Sequence, residues 1–283
     1  MSLRRRRSAP DHRFALGQRG VWRARCALLA AACATGVVGA GGVDGLGSAA
    51  RGAPAAGTGR SAGAKVTIMV VGSRATLLGP TAVTARRATV RVRGRRCAIA
   101  PDTPLAALLE ARRAGAPSPL LRDYGHCSRQ TRDAAALFVY ALGPDHNRAR
   151  DGWVYKVGHR LGTTGAADPS GPRGDGHRLG SGERVLWFWC QEPPAGGCQR
   201  TLEVSPEQRT LGAGQQLAVR VTGFDDHGRG APVAGATVTL GSASASTGAD
   251  GVARVTAAGS GPQALNALAA GTIAAFPVVV RVT

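Results

Sequence analysis

The chain has 283 residues, 43% of them hydrophobic and 4% aromatic, with a formal charge of +19 from 36 Lys and Arg against 17 Asp and Glu. This much Val, Leu and Ala supports packed cores and excludes a largely disordered chain. A single apolar stretch near the N-terminus excludes a protein of many membrane spans, and the length predicts two domains or one domain with tails. Only Lys65 and Lys156 are lysines. The arginine bias, with 41 Gly, points to a GC-rich coding sequence, so part of the basicity is compositional drift.

Residues 1–50 read as an export signal. Eight Arg precede an apolar run from Cys26 to about Val43, and Gly47-Ser48-Ala49-Ala50 offers small residues for cleavage. Positive charge stays on the cytoplasmic side while the apolar run enters the bilayer. An uncleaved anchor and a lipoprotein modified at Cys33 are the alternatives, and membrane contact is expected only through this segment. Residues 51–64 form a Gly/Ala/Pro linker with nothing to bury. Charge then divides unevenly: +13 over 51–200 and zero over 201–283, which predicts two units with different surfaces.

Four cysteines remain beyond the signal: Cys97, Cys127, Cys190 and Cys198. An even count in an exported chain reads as disulfides, with three pairings open. Cys190 and Cys198 flank a turn-rich loop that brings its ends together, which leaves Cys97 with Cys127. A zinc site needs close pairs such as C-x2-C, and none occurs.

Residues 65–199 are expected to form one domain. Val66–Val71 and Thr89–Arg93 read as strands. Thr103 followed by Pro104 starts a helix, with Leu105, Leu108, Leu109 and Arg112 on one side and Gly115 as terminator. Strands follow at 137–142, 152–158 and 184–190, with a long Gly/Pro/Asp/Ser loop over 162–182. This order suits a small sheet with one helix across a face, as in a β-grasp. Residues 200–283 carry short strands at 202–206, 216–221, 232–240, 249–255 and 276–282, the spacing of a β-sandwich. The expected fold class is therefore an α+β, β-grasp-like domain followed by an all-β, immunoglobulin-like sandwich.

Two resemblances sharpen this. Asp151-Gly152-Trp153-Val154-Tyr155-Lys156-Val157-Gly158, followed by Leu179-Gly180-Ser181-Gly182-Glu183-Arg184-Val185-Leu186-Trp187, resembles the transcobalamin-like C-terminal domain family. Gly158 and Glu183 depart from that family's usual Asn and Asp. The resemblance implies a β-grasp fold in an extracellular module more than it implies an activity, and it carries over no cobalamin contact. Pro232–Leu240 with Thr247-Gly248-Ala249-Asp250-Gly251 resembles bacterial immunoglobulin-like domains of the invasin type, which implies a spacer or adhesive module.

Candidate binding residues come from two patterns. Phe138/Tyr140, Trp153/Tyr155 and Trp187/Trp189 are each two apart on strands, so each pair projects to one face. Since a helix covers only one sheet face, Tyr140, Trp153, Tyr155, Trp187 and Trp189 are candidates to stack on a flat ligand such as a sugar or corrin ring. Core packing and cross-strand pairing are the competing use of the same rings. Arg91, Arg93 and Arg95 alternate with Val90 and Val92 and are expected to share a face, as a stripe for an anionic envelope polymer or as a solvated strand surface that discourages edge pairing. No P-loop, nucleophile elbow, zinc-binding His spacing or calcium loop is present. Asp145–Gly152 fails as a calcium loop because Ala149 and two Arg displace oxygen ligands. The expectation is an exported, non-enzymatic binding or accessory module of the envelope without cofactor, metal or specific nucleic-acid partner. A pure spacer and a cobalamin-type carrier are the alternatives.

Overall fold

A computed structural model describes residues 63–283. The expected signal segment, with Cys26 and Cys33, and the linker up to residue 62 lie outside the described residues. Ala64, at the end of the expected linker, is already buried: its N–H donates to the Asp102 carboxylate and its carbonyl accepts from Ala85.

The N-terminal half contains β1 (Lys65–Val71), β2 (Thr76–Thr84), β3 (Ala88–Val92), β4 (Arg95–Ile99), α1 (Pro104–Ala111), β5 (Pro119–Asp123), β6 (Leu137–Leu142), β7 (Asp145–His146), β8 (Gly152–Val157), β9 (Arg160–Leu161) and β10 (Arg184–Cys190). Its main sheet has the order β2-β1-β10-β8-β9. The central pair, β1 and β10, is parallel and the other pairs are antiparallel. β10 reads RVLWFWC without alternation, as a strand buried on both faces should. Thr103 caps α1 by accepting a hydrogen bond from the Ala106 N–H, and Pro104 stands where no amide partner is needed. Leu105, Ala106, Leu108 and Ala111 are buried. Gly115, at φ 100°, ends the short turn beyond the helix.

The C-terminal half contains β11 (Thr201–Pro206), β12 (Thr210–Leu211), β13 (Gln216–Phe224), β14 (Gly230–Pro232), β15 (Thr237–Leu240), β16 (Ala243–Ser246), β17 (Val252–Thr256), β18 (Gly261–Leu268) and β19 (Val278–Val282). One sheet joins β11, β13, β14 and β17, and the other has the order β12-β19-β18-β15-β16. Leu217, Val219, Val221, Val238, Leu240, Leu265 and Val280 belong to a single core. The turn before β17 is built by its side chains. Thr247 Oγ1 donates to Val233 O and accepts from Ala236 N–H, and Asp250 accepts from Val252 N–H. Gly251 lies at φ 74°, where a Cβ would stand 2.9 Å from the Val221 carbonyl oxygen, so no larger residue fits.

Two features correct the sequence reading. First, residues 89–95 are not one alternating strand. Arg93 and Gly94, at φ 47° and 81°, form a two-residue turn between β3 and β4. Directly paired residues share a face, so Arg91 lies with Arg96 while Arg95 lies with Val92. Second, the sheet face away from the helix is not open. Met69, Val71, Leu186, Phe188 and Cys190 on that face form one core with Ile273, and Cys198 and Phe276 pack against it. The two halves thus share a buried joint. β18 lacked a sequence signal because GPQALNAL holds no β-branched or aromatic residue.

Cys97 is bonded to Cys127 and Cys190 to Cys198. Disulfides form and persist in oxidising environments.

Candidate functional site: a trough centred on Tyr140

Of the five aromatic candidates, four are buried. Trp153, Tyr155, Trp187 and Trp189 have 5% exposure or less and belong to the core beneath α1. Tyr155 packs against Trp187 at 5.3 Å between centroids, and Trp153 meets Trp189 edge-on at 5.9 Å. The Tyr155 hydroxyl donates to Thr164 O, and burial pushes its pKa up to about 12. The loop after β9 seals this side: a Cβ on Gly162 would stand 2.1 Å from the Tyr155 ring. These rings fill volume that the small residues of α1 leave. Trp189 and Trp153 also each reach the lining of an outer cavity, and Trp153, Tyr155 and Trp187 line a small one of about 140 Å³. The indole N–H groups of Trp187 and Trp189 have no acceptor among the described residues.

Tyr140 differs. Along β6, Leu137, Val139 and Ala141 point inward, which leaves Phe138 exposed and Tyr140 half-buried on the outer face. Arg122, opposite Phe138 in the register of β5 and β6, lays its guanidinium 3.4 Å from the Tyr140 ring centroid, a cation–π contact. His146 meets Tyr140 edge-on at 6.0 Å. Tyr124, 69% exposed, meets Phe138 edge-on at 5.9 Å. Asn147 fixes β6 against β8, donating to Val139 O and accepting from Trp153 N–H. Trp153 supports the same corner by donating its indole N–H to Asp145 O.

Three cavities meet at Tyr140. One of about 610 Å³ includes Arg74, His146 and Arg148 in its lining. A second, about 560 Å³, lies between the β3–β4 hairpin and β5 and is lined in part by Arg91, Arg93, Arg112 and Arg122. A third, about 680 Å³, includes Tyr124, Phe138, Arg122 and Arg148. Tyr140 lines all three. Folding therefore joins two sequence candidates that lay far apart: Arg91 and Arg93 share a cavity with Tyr140, whereas Arg95 is exposed outside it.

The carboxylates near the trough are engaged by the protein. Asp145 accepts from the Ser73 N–H and hydroxyl at 2.8 and 2.6 Å. Glu192 pairs with Arg150 at 2.6 Å and holds that guanidinium still more firmly protonated. Asp151 accepts from Glu192 N–H.

The sequence did not single out Arg74, Arg122 or Tyr124, and it offered His146 and Arg148 only within the rejected calcium loop; these segments lie apart along the chain and meet only in the fold. The Phe138/Tyr140 spacing was the one local signal. Among the described residues no cluster of His, Cys, Asp or Glu could hold a metal ion, and no helix is long and apolar enough to cross a membrane. Compared with known proteins, the chain matches no family model, no curated protein and no solved structure.

Proposed function

We propose that the protein is an exported, non-enzymatic binding module of the cell envelope that holds a ring-bearing ligand in the trough around Tyr140. In this reading residues 65–199 are a β-grasp of the transcobalamin-like type and residues 200–283 an immunoglobulin-like support. The parallel central pair β1 and β10, with one helix across the sheet, supports the first assignment. Two sheets around one core support the second. Two disulfides favour maturation outside the cytoplasm.

The observation that carries the binding reading is Tyr140 itself. It is a half-buried ring held by Arg122 at the meeting point of three cavities, beside exposed Phe138 and Tyr124. Convergence of concave surface, aromatic rings and fixed polar groups characterises ligand sites. The cobalamin-type carrier alternative draws no support from four rings that are buried.

The test is sedimentation of the protein with purified envelope polymers. Tyr140→Ala and Phe138→Ala should each weaken retention by up to about tenfold, the value of one stacked ring. Retention equal to wild type in both variants would remove the trough from consideration.

A further inference from the structure

Charge is uneven around the trough: Asp151, Glu192 and Asp226 join the arginines in the lining of the third cavity, whereas the cavity toward the β3–β4 hairpin is one-sided. Arg74, Arg91, Arg93, Arg112 and Arg148 have no carboxylate within ion-pair distance among the described residues. The cavity between the β3–β4 hairpin and β5 is lined by four arginines and no acid. Arg93 is held there by a turn whose following residue is Gly94, at φ 81°. Cations gathered in one concavity repel one another and raise the local concentration of anions. The aromatic surface lies on the other side of Tyr140, where Phe138 and Tyr124 line the cavity of about 680 Å³. A single small anion would occupy one of these cavities. A chain crossing Tyr140 would use all of them.

Resting on the binding reading above, we propose that the ligand is a linear anionic glycan. Its sugar rings lie on Tyr140, Phe138 and Tyr124, and its carboxylate or phosphodiester groups meet Arg91, Arg93, Arg112, Arg122 and Arg148. The ring geometry favours sugars over nucleobases. Tyr124 and Phe138 are inclined at 64°, and Tyr140 and His146 at 84°, so neither pair offers two stacked bases a parallel platform. Separate sugar faces can each use one ring. Arginine suits both anions through its planar fork of donors.

The experiment compares the full chain with an Arg91→Gln, Arg93→Gln, Arg112→Gln triple variant and with Tyr140→Ala. The probes are fluorescent polygalacturonate, its methyl-esterified neutral form, a sugar-bearing polyol-phosphate chain, and single-stranded DNA of equal charge. The basic N-terminal segment adds its own salt-dependent attraction, so the decision rests on differences between wild type and variants. The anionic glycans should bind at least about tenfold more tightly than the neutral form. The triple variant should lose roughly 0.7 from the log–log salt slope for each phosphate or carboxylate contact removed, with an unchanged melting temperature. Preference between the carboxylate and phosphodiester probes identifies the anion. Equal binding of the neutral form, or an unchanged slope in the triple variant, overturns the polyanion assignment while the loss in Tyr140→Ala still upholds the trough. DNA binding as tight as the glycans, and equally dependent on Tyr140, overturns the glycan assignment. Full binding by Tyr140→Ala refutes the underlying site.

Discussion

Lys156 Nζ lies 3.5 Å from a carboxylate oxygen of Asp226, and this contact joins the two halves of the protein. Lys156 is fully buried in the main sheet and also donates to the carbonyls of Phe224 and Asp225 and approaches Thr201 Oγ1. Asp226 in turn accepts from Cys198 N–H, next to the Cys190–Cys198 disulfide. Burial pushes the Lys156 pKa down, and Asp226 opposes the shift. The acceptors surrounding Nζ make a cationic side chain tolerable in an otherwise apolar joint.

Removing that cation should therefore loosen the joint. Lys156→Met leaves the Asp226 carboxylate and two carbonyls without their donor. Breaking a buried pair from one side costs about 3–5 kcal/mol, and the partial exposure of Asp226 sets the expectation at the low end. Urea unfolding would measure it. A midpoint within error of wild type would show that the contact does not hold the halves together.

The two disulfides should differ in weight. Cys97–Cys127 spans 30 residues and Cys190–Cys198 spans 8. Loop-closure entropy gives about 3.5 kcal/mol for the longer loop and about 2.5 for the shorter. Paired Cys→Ser variants, melted under non-reducing conditions, should rank in that order. A reversed ranking would mean that the joint beside Cys198 outweighs chain entropy.

His159 provides a pH response. Its ring stacks on Phe224 at 3.6 Å and lies 3.2 Å from Glu203. Burial lowers its pKa first, Glu203 opposes this, and Arg184 and Lys156 add to the lowering. The folded state thus disfavours the proton relative to the unfolded chain, whose His titrates near 6.5. Stability is complete above that value and falls as pH drops through it toward the lowered folded pKa. Melting temperatures should decline from pH 7.5 to 5. His159→Phe, which keeps a ring on Phe224 but cannot take a proton, should flatten the decline; an identical slope in this variant would assign the response to other groups.

Core and trough aromatics should separate cleanly by stability. Trp187→Ala should cost about 3–5 kcal/mol because it removes a buried ring from the core. Phe138→Ala, at an exposed position, should stay within about 0.5 kcal/mol. Chemical denaturation of the two variants compares them directly. A Phe138→Ala loss as large as that of Trp187→Ala would make Phe138 a structural residue.

Local signals were legible wherever neighbours in sequence do the work. Thr103 and Pro104 start α1 because a hydroxyl and a missing N–H act within one turn. Asp250 and Gly251 make the β16–β17 turn for the same reason. The Arg91, Arg93, Arg95 stripe failed because alternation cannot reveal a two-residue turn inside it. Arg93 and Gly94 supply the positive φ values that fold the run back on itself. The spacing of Trp187 and Trp189 shows that they share a face but not which face is covered.

By itself the sequence determined that strands are abundant, that a short capped helix interrupts them, and that four cysteines read as disulfides, with the turn-rich loop favouring Cys190 with Cys198. Each of these rests on chemistry within a few residues or on the closure of a chain segment. Only the tertiary structure decided which faces are buried, since burial depends on what arrives from elsewhere in the chain. Ile273 and Phe276 cover the sheet face that Phe188 occupies. Arg122, Tyr140 and Arg91, separated along the chain, come together only when the β3–β4 hairpin packs beside the β5–β6–β7 sheet.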